Sequence, residues 1–476
     1  MLVRSLSQPE VRVKESPLGL APGVRSGKQR AHVNSTAARW IGVAALIGAT
    51  CWLIAIIVRA HVQAGWHATD RLEWSVTVLA AVAFVLRGLF LGRPVTARHA
   101  AVAAAVLFAG IASRVLTFDL LGDALIAGSG LALMWPIAAR PQPGDLSRVW
   151  TLINATNGDP LAPFAMQAGK CYLFNVDGSA AISYRTRMGY AVVSGDPVGD
   201  EAQFPRLIAD FAAHCHDHGW RIVVLACSER RLRLWSDPRV LGTFLRPIPI
   251  GRDVVIDVAD FTMAGRRFRN LRQAVQRTHN SGITTEIVAE QDLDDRQVAE
   301  LADVLRASPS GAHTDRGFCM SLDGVLEGRF PGIQLVVARD RLGRVQGFHR
   351  YATAGGGSEI TLEVPWRRRG APNGVDERLS VDMINAAKDA GALRISLSFA
   401  AFPELFDDQD RGRVQATFYW LIHRLDPLIA LESLYRYLRK FHAIGERRYA
   451  LVSLTQLVPL IFVLLSLELM PRRRRL

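Results

Sequence analysis

Cysteine is scarce and scattered: Cys51, Cys171, Cys215, Cys227 and Cys319 are the only five in 476 residues, and no two form a CxxC pair. That usage excludes a disulfide framework and a zinc ribbon, and it suits a reducing compartment. No GxSxG, Walker-type or dinucleotide-binding glycine pattern stands in a fitting strand–turn–helix context, which sets aside serine-hydrolase, P-loop and Rossmann chemistry. The first 39 residues lack an apolar run and carry Arg4, Arg12, Lys14, Arg25, Lys28, Arg30 and Arg39. They read as a disordered basic cytoplasmic arm rather than a secretory signal. Acidic residues are also in deficit, 44 against 57 Lys and Arg, for a net charge of +13 and a pI near 10.0. Such a balance calls for an anionic partner: phospholipid head groups, nucleic acid or both.

Long apolar runs are what the chain does have. Four of them, 40–58, 74–91, 100–116 and 120–139, crowd into the segment 40–139. Because roughly 20 helical residues cross a bilayer's hydrocarbon, they predict a transmembrane module of about four spans. Arg93 and Arg98 in one connection, Asp119 and Asp123 in the next, and Arg140 and Arg148 after the last run place both ends of the module in the cytoplasm. Arg87, Arg114 and Asp123, within or beside these runs, either line a polar path or snorkel from helix ends. A fifth run, 449–470, precedes Pro471 and Arg472–Arg475. It reads as a membrane-associated helix, lying at the interface or packed on the domain, with its basic tail on lipid phosphates.

From about residue 148 the pattern becomes α/β, and two stretches echo one another. The first runs strand 190–193, turn 194–200 (SGDPVGD), an amphipathic helix ending near Gly219, and strand 221–227. The second runs strand 359–364, loop 367–374 (RRRGAPNG), a helix ending at Gly391, and strand 394–399. The repeated order suggests duplication of one α/β domain, over 148–282 and 283–448, followed by 449–476.

Several residues carry candidate chemistry. Residues 266–279 place Phe268, Leu271 and Val275 on one helical face and Arg266, Arg267, Arg269, Arg272 and Arg277 over the rest. That surface suits a phosphate backbone or an anionic bilayer. Glu363 and Asp376 bracket the basic loop that carries Arg367 and Arg368. A carboxylate there can orient a hydroxyl, pair with an ammonium group, or serve a structural ion pair with Arg367 or Arg368; Asp376 can equally cap the helix that follows. Lys440, Arg448 and Tyr449, just before the last apolar run, are expected at headgroup depth. His214 and His218 lie one turn apart, but Cys215 belongs to the inward face, and no metal site is read there.

Strand, basic loop, helix and strand resemble the acyl-donor site of acetyltransferase-like (GNAT) domains. Arg367 and Gly370 fit that loop's Arg/Gln-x-x-Gly-x-Gly/Ala form, whereas Pro372, which lacks an N–H, occupies the second small position and favours a donor other than coenzyme A. The segment 148–449 further resembles the C-terminal domain of lysyl-phosphatidylglycerol synthases (multiple peptide resistance factor). The resemblance rests on 191–199 (AVVSGDPVG), the basic segment 266–279, Gly374–Asp376, Lys440-Phe441 and Arg448-Tyr449. It implies a tandem GNAT-like fold that moves an amino acid from aminoacyl-tRNA to phosphatidylglycerol without a cofactor or metal. It also implies catalytic roles for Glu363, Asp376 and Lys440, substrate binding by Arg367, Arg368, Arg448 and Tyr449, and tRNA binding by the arginines of 266–277. Where the family has Asp-Leu-Met-Arg, this chain has Glu363-Val364-Pro365-Trp366, and Leu438 replaces the first lysine of Lys-x-Lys-Phe. A coenzyme A-dependent acyltransferase acting on a lipid or envelope precursor, and a non-catalytic membrane protein, are the alternatives.

Overall fold

The computed structural model of the chain describes residues 67–90, 95–142, 144–167, 169–308, 321–401, 431–453 and 457–469, together with 93 and 403. The apolar run 40–58 lies outside them. Contacts divide the chain into two compact units, Met1–Ala138 with Ala213–Arg221, and Ala139–Ala212 with Ile222–Leu476.

The first unit contains the helices His67–Phe90, Ala97–Val115 and Asp119–Leu133. Small residues bring them together: a Cβ on Gly130 would stand 2.3 Å from the Ala81 carbonyl oxygen, and one on Gly110 would stand 2.9 Å from Ile126. Close backbone approach of this kind is how helices pack where the solvent is itself apolar. Arg114 pairs with Asp123 across the hairpin, so these two charges satisfy one another. Among the described residues, one helix, Ala97–Val115, is long and apolar enough to cross a membrane. The fourth expected span is shorter than its apolar run. Its helix stops at Leu133, because Pro136 disfavours helical backbone at Trp135 and cannot donate in a continuing helix.

The second unit is built on one mixed sheet. Its strands are β1 (Cys171–Phe174), β2 (Ala180–Arg187), β3 (Tyr190–Ser194), β4 (Val198–Gly199), β5 (Arg221–Ser228) and β6 (Arg246–Asp257). They continue with β7 (Thr284–Ala289), β8 (Ile333–Arg339), β9 (Val345–Ala354), β10 (Glu359–Arg367), β11 (Arg394–Ala401) and β12 (Ile444–Val452). The order is β1-β2-β3-β5-β12-β6-β11-β10-β9-β8-β7, with β4 beside β2. The two echoing stretches supply β3 and β5 on one side and β10 and β11 on the other. Between them the closing strands are exchanged: β6, from the first expected subdomain (148–282), pairs with β11, and β12, at the end of the second, pairs with β5. β6 and β12 also pair with each other, which makes the two expected subdomains one continuous sheet.

Strand alternation assigns the two faces of the second half. Val336, Tyr351 and Leu362 point to the side covered by helices Arg269–Asn280 and Val375–Asp389, where they meet Leu271, Leu379 and Ile384. Val337, Phe348 and Trp366 point to the other side and pack with Leu301 and Val304 of helix Asp295–Ala307. Each such large apolar side chain stabilises the fold by about 1.5–3 kcal/mol on full burial. A bulge between Leu362 and Pro365 resets β10, so that Trp366 faces the second side and Arg367 the first.

The last apolar run divides. Tyr449–Val452 completes β12, and a separate helix, Leu457–Leu469, follows. Its 13 residues extend about 20 Å, short of the roughly 30 Å hydrocarbon layer. Leu460 and Val463 are buried against Tyr190, Val192, Val223, Ala450 and Val452, while Ile461 and Phe462 remain exposed.

Candidate active site at the amino end of helix Val375–Asp389

Gly374 opens this helix in a left-handed conformation (φ 104°). A Cβ there would meet the Ala274 carbonyl oxygen at 2.4 Å, so glycine is what lets this helix start against Arg269–Asn280. Asp376 and Glu377 occupy the first turn, where the helix dipole favours negative charge.

Side chains from three other elements converge on that turn. His349 of β9 sets Nε2 3.3 Å from Asp376 Oδ1, and Arg367, at the end of β10, sets Nη1 3.4 Å from Asp376 Oδ2. Lys440, from the 3-10 turn Arg439–Phe441, pairs with Glu377. Behind His349, its Nδ1 lies 3.4 Å from both Tyr351 Oη and Ser380 Oγ. Ser380 also hydrogen-bonds Tyr437. Exposure falls steeply inward: side-chain exposure is 45% for Arg367, 36% for Lys440, 19% for Asp376 and 0% for His349. Burial alone would raise the Asp376 carboxyl, but the hydrogen bond from His349, then the charges of Arg367 and Lys440, hold it below the usual carboxylate range. The Tyr351 and Tyr437 hydroxyls are pushed up, burial being the main cause.

Three of the residues expected from sequence, Asp376, Arg367 and Lys440, are therefore brought together. Glu363 is not among them. It lies on the opposite face, where it accepts from Arg350 Nη1 at 2.8 Å, Ser321 Oγ at 2.7 Å and the Leu322 N–H at 2.7 Å. Arg350 is fully buried and also binds Glu290 at 2.8 Å. Glu363 is thus a strut, paired with Arg350 rather than with Arg367 or Arg368, and burial raises its carboxyl above the ordinary range despite Arg350. Arg368 ties its loop to the start of β9 through Nε and the Val345 carbonyl at 2.8 Å.

Arg448 corrects a second expectation. Instead of lying at headgroup depth it is 1% exposed, bound to Asp159 (2.7 Å), Asp253 (2.7 Å) and Asp196 (3.4 Å). Asp196 belongs to SGDPVG, and its Oδ1 takes the Ser228 N–H at 3.1 Å. Gly195 donates to the Leu225 carbonyl at 2.8 Å, and a Cβ on Gly199 would strike the Ser179 carbonyl oxygen at 2.2 Å. The most specific motif in the sequence is an architectural knot. Tyr449 is half-buried, its hydroxyl 3.4 Å from Glu229.

The basic helix begins later than its sequence pattern: it spans Arg269–Asn280, with Arg266 and Arg267 in the turn before it. Leu271, Ala274, Val275 and Thr278 are buried, while Arg266, Arg267, Arg269 and Arg277 are exposed. Arg272 instead folds back onto the Met263 and Gly265 carbonyls. An open cleft of about 530 Å³ is lined by Arg267, Arg439, His442 and Ile444. Sequence reading missed Arg439 and His442 here, and His349, Tyr351, Ser380, Tyr437 and Glu377 at the carboxylate. The alternation of His349 and Tyr351 on one strand was the available signal.

The sequence profile described as phosphatidylglycerol lysyltransferase, C-terminal, matches residues 150–452. The chain belongs to this family. It is a phosphatidylglycerol lysyltransferase-like enzyme. The MprF-like domain protein of Mycobacterium tuberculosis is 68% identical over 472 residues, which cover 99% of this chain and 97% of that protein. The lysylphosphatidylglycerol biosynthesis bifunctional protein LysX of Mycobacterium marinum is 29% identical over 307 residues, 64% of this chain but 27% of that protein. This chain thus spans about a quarter of the length of the bifunctional relative. In fold it is similar to the L-PGS structure from Bacillus licheniformis, with a TM-score of 0.56 at 19% identity over 70% of this chain and 98% of that one.

Proposed function

We propose that the chain transfers an amino acid from aminoacyl-tRNA to the hydroxyl of phosphatidylglycerol at a membrane. The observation that carries this reading is the half-open mouth formed by Asp376, Arg367 and Lys440 at a helix amino terminus. A carboxylate there accepts the hydroxyl proton of the acceptor, and the adjacent cations suit its phosphodiester. Arg439, next to Lys440 in sequence, lines the cleft with Arg267 and His442. That cationic surface suits the phosphates of a charged tRNA end, with exposed Arg266, Arg269 and Arg277 extending it.

In this reading the duplicated unit is a tandem GNAT-like domain, cytoplasmic, and anchored by a multi-pass module of about four spans that includes the run 40–58. The apolar outer side of helix Leu457–Leu469, with Ile461 and Phe462 exposed, rests at the lipid interface. Neither a metal nor an organic cofactor takes part.

The decisive assay incubates the full chain with phosphatidylglycerol vesicles and radiolabelled lysyl- or alanyl-tRNA. Label in the lipid fraction supports the reading, and no label with any aminoacyl-tRNA defeats it. A coenzyme A-dependent reading draws on the gap between β10 and β11, whose parallel pairing ends at Thr361–Ser396. Calorimetric binding of coenzyme A distinguishes it.

A further inference from the structure

We propose that His349 is a positioning residue for the transfer, holding the Asp376 carboxylate at the mouth and fixing its hydrogen-bonding direction from behind. The inference rests on the transferase reading and deepens it.

The argument begins with placement. His349 is on the central part of β9, 0% exposed, and cannot itself touch a macromolecular substrate. Its neighbours form an ordered chain from core to surface. Tyr437 and Ser380 share a hydrogen bond, Ser380 and Tyr351 stand 3.3 Å apart, and both lie 3.4 Å from His349 Nδ1. With hydroxyls donating to Nδ1, the proton of a neutral imidazole sits on Nε2, which faces Asp376 Oδ1 at 3.3 Å. The second ring nitrogen thus sets the direction of the first. Full burial confines the ring, and Tyr437 packs edge-on to it with centroids 6.5 Å apart and an interplanar angle of 87°.

This arrangement leaves Asp376 with one oxygen committed to an interior donor and the other, Oδ2, on the side of Arg367. An acceptor hydroxyl entering there has a fixed proton acceptor. In the step itself the hydroxyl oxygen bonds to the ester carbonyl carbon and its proton moves to Asp376. The carbon–oxygen bond to the ribose then breaks, and the ribose oxygen takes that proton. One ester forms as one is lost, and no further reactant is required. His349 keeps its proton throughout and acts by geometry, which is where a small displacement is costly.

A purely structural histidine would be replaceable without altering the pH profile. The charged and titratable groups that face Asp376 are His349 and Tyr351 from β9, Arg367 from β10, its neighbour Glu377, and Tyr437 and Lys440 from the segment around Leu438. The hydrogen bond from His349 leads those that lower the Asp376 carboxyl. Activity that needs ionised Asp376 is lost as pH falls through its titration, so removing His349 moves that acid limb to higher pH.

The test uses the full chain with phosphatidylglycerol vesicles and charged tRNA, comparing wild type, His349→Leu and His349→Gln. Glutamine places an amide N–H near the position of Nε2, whereas leucine fills the space without a donor. We expect His349→Leu to lower kcat on the order of 100-fold with little change in KM for tRNA and an upward shift of the acid limb. His349→Gln recovers most of kcat and the wild-type limb. Melting curves identify a variant that has merely unfolded; should His349→Leu unfold, His349→Asn, whose shorter amide falls short of Asp376 Oδ1, takes its place with the same expected loss of kcat and upward shift of the acid limb. Transfer by wild type beside unaltered kcat and pH profile in His349→Leu, or equal loss in both variants with intact melting, overturns the assignment while leaving the transferase reading in place. A wild type that labels no lipid overturns both.

Discussion

Glu363 and Arg367 share strand β10 yet serve opposite faces of the sheet: Glu363 binds Arg350, and Arg367 binds Asp376. The bulge between Leu362 and Pro365 causes the division. Two acidic residues that look equivalent on either side of one basic loop therefore have different work, and substituting them separates stability from chemistry. Glu363→Gln should lower unfolding free energy on the order of 2 kcal/mol, through the weakened Arg350 pairing, with kcat nearly unchanged in folded protein. Asp376→Asn should leave the melting curve near wild type and lower kcat about 10²- to 10⁴-fold. Thermal melts paired with labelled-lipid assays on both variants measure this.

Arg448 offers a plainer stability test. It binds Asp159, Asp196 and Asp253 out of contact with solvent, so its loss strands buried carboxylates. Arg448→Met is expected to cost about 3–5 kcal/mol, read as a lower denaturation midpoint or as insoluble expression. Transfer by the fraction that remains folded should keep its KM for lipid.

The same cluster sets a pH dependence. Burial, only partly offset by Arg448, pushes the Asp253 carboxyl up to about 6. A carboxyl raised in the folded state binds protons there that the unfolded chain has released. Its contribution to stability therefore falls as pH rises from the ordinary aspartate range, about 3.9, through 6. Asp253→Asn should remove that dependence and, above pH 7, stabilise the protein on the order of 2 kcal/mol. Denaturant melts at several pH values between 4 and 8 report the difference.

Nucleic-acid binding has its own signature. If the cleft lined by Arg267 and Arg439 holds tRNA phosphates, each replacement by alanine weakens binding for all charged tRNAs alike. It also reduces the slope of log K against log salt by roughly 0.7–0.9. Filter binding across a salt series gives that slope, and a selective loss for one tRNA would contradict it.

Much of the fold was legible because periodicity is local. The strand–loop–helix–strand echo, the inward faces of the two corresponding helices, and Phe268, Leu271 and Val275 as an apolar stripe all follow from spacing within a few turns. Residues such as Asp376, Arg367 and Lys440 were readable by type and by resemblance. What the sequence did not reveal depends on distant chain pairing. Nothing near Glu363 announces that Arg350 will stand opposite it, since a bulge decides which side chains share a face. Nothing near Arg448 announces three aspartates from three other segments. The run 449–470 misled because β-branched and leucine-rich residues suit a buried strand as well as a helix, and burial beside β5 and β6 fixed Tyr449–Val452 as strand.

The trade of β6 for β12 ties the fate of each side of the sheet to the other. Because each side of the sheet takes its closing strand from the other, neither can be discarded or expressed by itself without leaving a sheet edge bare. A substitution that loosens β6 or β12 is therefore felt on both sides of the sheet at once.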